Sequence, residues 1–218
     1  MEGHIGNDER RYILDFSRTM PPEARLKDTK LINPHLYRLL RPEFVCKYHT
    51  PLCCDAFSRF LVPEDAEKFN TDIGKATKHL IEIVIPGFVT AFELLVERAK
   101  NTKEGVCGIS VPRVVHEQGI NLRYIGRLYT HCKSKDARMI LLIEMASRII
   151  KSHLKDLLRA KMEQLKFPLE QPYIALMVNE MNKLFGTFDK RRCSQWNTII
   201  SEKLSSYFGG SVLKKKTK

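Results

Sequence analysis

Cysteine and histidine crowd together once in this sequence, at Cys46-x2-His49-x3-Cys53-Cys54. Zinc needs soft ligands that converge tetrahedrally, and paired C-x2-C spacings supply them. Here the spacing is irregular, no second pair follows, and His116, His131 and Cys132 stand far along the chain. Buried structural thiols are the reading this pattern favours, and no metal is expected. A nucleophilic cysteine needs an imidazole to take its proton and donors for an oxyanion. Nothing local selects Cys46, Cys53, Cys54, Cys107, Cys132 or Cys193 for that role. Phosphate-cradling glycine loops, G-x-S-x-G and H-E-x-x-H do not occur in the sequence. These residues point away from catalysis, and neither a cofactor nor a small-molecule substrate is expected.

The other residues that could do chemistry are cations at helical spacing. Arg123, Arg127 and His131 recur every four residues, and Arg148, Lys151, Lys155 and Arg159 follow at steps of three, four and four. A row of this kind can meet successive phosphates of a nucleic-acid backbone without reading bases. Tyr124 and Tyr129 would add stacking if exposed, although Tyr129 falls on the apolar face and reads as core. The alternative is a solvated face, with Glu144 and Arg148 as a weak ion pair four residues apart. Overall charge is consistent with either reading. Residues 1–118 carry 17 Lys+Arg and 17 Asp+Glu, whereas residues 119–218 carry 20 and 8, so the entire excess of +12 lies in the C-terminal half. Such a half suits RNA, an acidic protein or an anionic membrane surface.

The elements that must position these residues read as helices. Arg11 to Phe16 has strand character with no second strand nearby, after a ragged start over residues 1–10, and Met20-Pro21-Pro22 breaks it. Asn33-Pro34 reads as a cap for a short helix bearing Leu36, Leu39 and Leu40, interrupted at Arg41-Pro42 and continued from Glu43 to Tyr48. Leu52 to Leu61 reads as a further short helix with Phe57, Phe60 and Leu61 inside. Asp72 to Lys100 is helical, with Pro86-Gly87 expected to split or bend it. Ser110 and Gly119 bound one short helix, and Asn121 caps the next, Leu122 to Cys132. This helix–Gly–helix pattern also invites a DNA-binding helix-turn-helix reading. Lys135 to Leu165 reads as one long helix with Ile140, Ile143, Ala146, Ile150, Leu154 and Leu157 inside, ended by Phe167-Pro168. Gln171 to Phe185, closed by Gly186, and Trp196 to Phe208, ended by Gly209-Gly210, complete the set before the basic tail Lys214 to Lys218.

The chain has 218 residues, 43% apolar and 28% charged, enough to bury a core without disulfides and too apolar for disorder. No apolar run approaches the ~18–20 residues a membrane span needs, the longest stretch, Ile81 to Val89, being interrupted by Glu82 and Pro86. No integral membrane span is expected, and the N-terminus lacks a signal-peptide pattern. With reduced cysteines, these features point to the cytoplasm.

Four segments together resemble the clustered-mitochondria (Clu) family. Arg11 to Glu23, RYILDFSRTMPPE, is similar to the end of the Clu domain, "YLLDFxRTFPPE". Leu39 to Val45 is similar to "LLRPELV", Pro51 to Ser58 to "PLSSDAFS", and His116 to Gly126 to "HxxGINxRYLG". Cys53 and Cys54 stand where that family has small hydroxyl residues, which further weakens a zinc reading. The central region of these proteins is helical and related to a large subunit of translation initiation factor three. The resemblance implies a cytosolic protein linked to mitochondrial distribution and to mRNAs for mitochondrial proteins, without catalysis. Family members are far longer, with a β-containing domain ahead of this region and tetratricopeptide repeats after it.

The expected architecture is mainly α: an irregular helical bundle with one short N-terminal strand. Residues 1–30 would be a tail and Clu-domain remnant, 31–210 the helical domain and 211–218 the basic tail. Arg123, Arg127, Arg148, Lys151, Lys155 and Arg159 are the expected polyanion contacts. RNA or ribosome-associated proteins are the expected partners, and a scaffold binding other polypeptides is the alternative.

Overall fold

Pro86 does not break the helix that contains it. In the computed structural model, which describes residues 2–14, 19–24, 32–165, 170–185 and 190–208, helix α2 (Pro63–His79) runs through a π-helical turn (Leu80–Val84) into α3 (Ile85–Ala99). Proline lacks an N–H and its ring clashes with the carbonyl four residues back. The wider turn, in which the Ile85 N–H reaches the Leu80 carbonyl, absorbs that clash without ending the helix. The start moves back to Pro63, a first-turn proline that the polar stretch before Asp72 concealed. The resulting 37-residue run contains an 18-residue window of mean hydropathy 1.8, so by length and composition it could cross a bilayer, contrary to the sequence reading. Ile73, Ala76, Leu80, Ile85, Phe92 and Val96 on it are nevertheless buried in protein.

The chain divides into two compact units, Met1–Leu122 and Arg123–Lys218. In the first unit, residues 2–14 form an antiparallel hairpin of β1 (Glu2–Ile5) and β2 (Arg11–Leu14), with Ile5 opposite Arg11. The expected ragged start and single strand are therefore corrected. A type I-like turn closes the hairpin: the Glu9 N–H donates to the Gly6 carbonyl at 2.9 Å and the Gly6 N–H to that of Arg10 at 2.8 Å. Glu9 takes the left-handed position, φ 63°. Glycine or asparagine there is the usual signature, so a glutamate hides the turn.

The core of this unit gathers Phe44, Ile73, Leu80, Ile85, Phe92, Val96, Val115 and Ile120. Each such burial is worth about 1.5–3 kcal/mol. Helix α1 (Pro42–Lys47) brings Phe44 in, and its ring lies 5.4 Å from Tyr48 and 6.4 Å from His79. Asn33 is left-handed (φ 48°) and its side chain makes no capping bond; only a single 3-10 turn, Pro34–Leu36, follows it, and Leu36 is exposed. Residues 52–61 form turns, not the expected helix. Phe57 sits at φ 61° with its N–H on the Asn70 amide oxygen at 2.7 Å, and Phe60 is 75% exposed. Helix α4 (Val111–Glu117) ends at Gly119.

The second unit comprises α5 (Ile125–His131), α6 (Lys135–Gln164), α7 (Glu170–Phe185) and α8 (Lys190–Phe208). The Ser134 hydroxyl caps α6 by accepting from the Ala137 N–H at 3.4 Å. The buried face of α6 is Ala137, Leu141, Met145, Ile149 and Leu154. The expected face shared only Leu154 with it, and Ile143 is 58% exposed. Apolar residues line two sides of this helix, and periodicity alone does not say which one meets the bundle. Helix α8 supplies Trp196, whose ring stands edge-on to His153 at 5.2 Å, and Leu204. The segment between α4 and α5 holds seven residues, including a 3-10 turn at Leu122–Tyr124. A DNA-reading helix-turn-helix needs a turn of three to four residues, so that reading falls. Asp15 to Arg18, Phe167-Pro168, Gly186, Gly209-Gly210 and the basic tail lie outside the described residues.

Candidate nucleic-acid interface

Three of the four motif segments meet in the first unit, where they build structure. The Pro21-Pro22-Glu23 segment pairs with Arg38-Leu39-Leu40: the Glu23 N–H donates to the Arg38 carbonyl at 2.7 Å and the Leu40 N–H to the Pro21 carbonyl at 2.8 Å. The Glu23 side chain is buried, with Arg38 Nε 3.6 Å from its carboxylate. Asn121 locks the arrangement by donating its amide to the Leu39 carbonyl at 2.9 Å and to Glu23 Oε1 at 3.3 Å. The expected role of Asn121 as a helix cap thus gives way to a bridge between distant segments. At the start of α1, Arg41 grips Glu43 with two bonds, Nε–Oε2 at 2.9 Å and Nη2–Oε1 at 2.7 Å. Those bonds hold the Glu43 carboxyl down to about 2.

The cysteines do not match the buried thiols expected. Cys132 is buried, Cys53 and Cys54 are half-buried, and Cys46 and Cys107 are exposed. Among the described residues, no three His, Cys, Asp or Glu side chains converge as metal ligands.

The cations lie mainly in the second unit. Arg127 projects from α5 into solvent, whereas Arg123, in the preceding 3-10 turn, is half-buried and already engaged. On α6, Lys151, Lys155 and Arg159 are exposed, and Arg148 is tied to Glu144 at 2.7 Å. The structure therefore places four of the six expected contacts on a single helix. Tyr124 is 3% exposed and cannot stack on a base.

Two features were not anticipated. Lys151 and Lys155 border an open groove of about 380 Å³ between α6 and α7, floored by Ile150, Leu158, Met177, Met181 and Phe185. At the other end of α6, Tyr129 is half-buried, not core, and its ring carries the Arg138 guanidinium at 4.5 Å. Lys133 and Lys135 lie beside it around a second pocket. The density of Lys133, Lys135 and Arg138 in the sequence was the available signal, and the assignment of Tyr129 to the core masked it. A further apolar groove of about 540 Å³ lies in the first unit along α3 and α4, lined by Ile83, Phe88, Phe92, Leu95 and Val114 among others.

Comparison with known proteins agrees with the motifs. A family model described as clustered mitochondria matches residues 1–26, and one described as translation initiation factor eIF3 subunit 135 matches residues 106–207. A clustered mitochondria protein homolog of Vanderwaltozyma polyspora is 25% identical over 154 residues, covering 62% of this chain. The match takes in 12% of that relative. No solved structure matches.

Proposed function

On the premise that this chain belongs to the clustered-mitochondria family, we propose that it is a non-catalytic cytosolic module that binds RNA through its second unit. The observation that carries the reading is the exposed row Lys151, Lys155 and Arg159 on α6, in the half of the chain that holds the whole positive excess. Arg127 adds a cation from α5. Arg148 and Arg123 contribute only by sharing the partners they already hold. Ammonium and guanidinium groups on such a surface displace condensed counterions from phosphates, which gives affinity without base specificity. A link to mRNAs for mitochondrial proteins and to mitochondrial distribution follows from the family resemblance. The eIF3-like segment, which runs from residue 106 to 207 and so takes in α4 as well as α5 to α8, fits a ribosome-associated role.

Charge reversal of the row is the test. The double variant Lys151→Glu/Lys155→Glu, titrated with a fluorescent single-stranded RNA, is expected to bind much more weakly. The slope of log affinity against log salt should flatten by at least about 1.4, since each lost phosphate contact removes about 0.7 for single strands. Unchanged affinity and slope would remove the α6 row from the account.

The groove between α6 and α7 favours a second reading, a protein-docking scaffold. Phe185 is 70% exposed there, beside two methionines and under the two lysines. An apolar trough with a cationic edge suits an amphipathic helix with acidic flanks. RNA binding that survives charge reversal, together with loss of a bound partner protein, would move the function to this groove.

A further inference from the structure

The pocket at the start of α6 has the chemistry of a nucleotide site. Tyr129, Lys133, Lys135, Arg138, Met139 and Leu142 line an open cavity of about 210 Å³. Three of these six side chains are cationic, and none is a carboxylate. Arg138 lies over the Tyr129 ring, Cζ 4.5 Å from its centroid, and Nη2 donates to the Tyr129 hydroxyl at 3.0 Å. This contact uses one of its five donors and holds the guanidinium plane fixed. Lys133 already has a partner, whereas among the described residues neither Lys135 nor Arg138 forms an ion pair with a carboxylate, so these two charges are the ones available to an incoming anion.

The cavity also has an apolar side. Met139 is 50% exposed, and Leu142 lies one helical turn on at a step of three. A phosphate alone would satisfy the cations and leave these two side chains wet. An unpaired base would cover them and would stack on the outer face of the Arg138 guanidinium, a plane that RNA-binding proteins offer to splayed bases. A base inside a duplex presents no such face.

We infer that this pocket holds one nucleotide of a single-stranded RNA, its phosphate among Lys133, Lys135 and Arg138 and its base against Met139, Leu142 and the Arg138 plane. The inference rests on the RNA-binding reading and deepens it. Its residues are separate from the row on α6, so the two can fail independently.

The experiment titrates the whole chain with uridine 5′-monophosphate, inorganic phosphate and uridine by NMR, and with phosphatidylserine vesicles by co-sedimentation. Lys135→Ala/Arg138→Ala, Arg138→Lys and Lys151→Glu/Lys155→Glu are run alongside. The nucleotide should bind more tightly than either phosphate or uridine. The pocket double variant should weaken it about tenfold or more. Arg138→Lys keeps the charge and loses the plane, so it should abolish the preference for nucleotide over phosphate. The α6 charge reversal should leave nucleotide binding unchanged while weakening long RNA. Equal affinity for phosphate and nucleotide, vesicle binding with no nucleotide binding, or nucleotide binding untouched by the pocket double variant would each overturn the assignment. If the nucleotide binds as described and long RNA does not, the pocket stands and the RNA-binding module reading fails.

Discussion

Gly119→Ala is expected to destabilise the first unit by roughly 2–5 kcal/mol, through a left-handed backbone of about 1–2 and overpacking of about 1–3. Gly119 sits at φ 74°, where it ends α4, and its N–H donates to the His116 carbonyl at 2.7 Å. An added Cβ would stand 2.5 Å from the Phe44 nitrogen and 2.6 Å from its Cα. Phe44 is 3% exposed at the base of α1, and backbone on that side has nowhere to move. The same substitution at Gly74, inside α2 with nothing within 4 Å of its added Cβ, should stabilise by roughly 0.5–1 kcal/mol. Urea unfolding followed by far-UV circular dichroism reads both. A Gly119→Ala protein with the parent midpoint would contradict the contact between the GIN segment and α1.

The second large effect concerns the polar bridge. Asn121→Asp keeps the shape and removes the donor that serves both the Leu39 carbonyl and the buried Glu23 carboxylate. At neutral pH it sets a second negative charge against Glu23, whose carboxylate Arg38 Nε approaches to 3.6 Å. The expected cost is roughly 3 kcal/mol or more at neutral pH. The sign with pH follows from the repulsion. The new carboxyl has a raised pKa in the folded chain, so the penalty is small below its unfolded value of about 3.9 and grows as pH rises through the folded value. Comparison with Asn121→Ala, which loses the donor without adding charge and should cost about 1–3 kcal/mol at any pH, isolates the electrostatic part. Parallel pH profiles for the two variants would mean that the amide does not face Glu23.

These two sites also mark what the sequence makes legible. The Gly119 stop and the extent of α6 could both be read, because each depends on local chemistry: a left-handed residue and a run of helical periodicity. The bridging role of Asn121 could not, since its partners lie 82 and 98 residues away. The hairpin was concealed by Glu9 in a position that usually takes glycine. The turns at 52–61 were concealed by Phe57, Phe60 and Leu61, which mimic a helical face although Phe60 stands in water and the other two are partly exposed. On α6 the helix was legible and its inner face was not, because Ile140 and Ile143 compete with Leu141 and Met145. The row of cations could be listed from spacing. That Lys151 and Lys155 border an apolar groove depends on where α7 lies, and the cavity around Tyr129 depends on how α5 turns into α6.

Titration of the unaltered chain with single-stranded RNA across a range of salt concentrations tests the central claim most directly. Six phosphate contacts from Arg123, Arg127, Arg148, Lys151, Lys155 and Arg159 correspond to a log–log slope of about −4, and the exposed four alone to about −3. A slope in that range, with micromolar or tighter binding at low salt, is the predicted result. No binding at low salt, or binding with a slope near zero, would contradict the account and leave the groove between α6 and α7 as the functional surface.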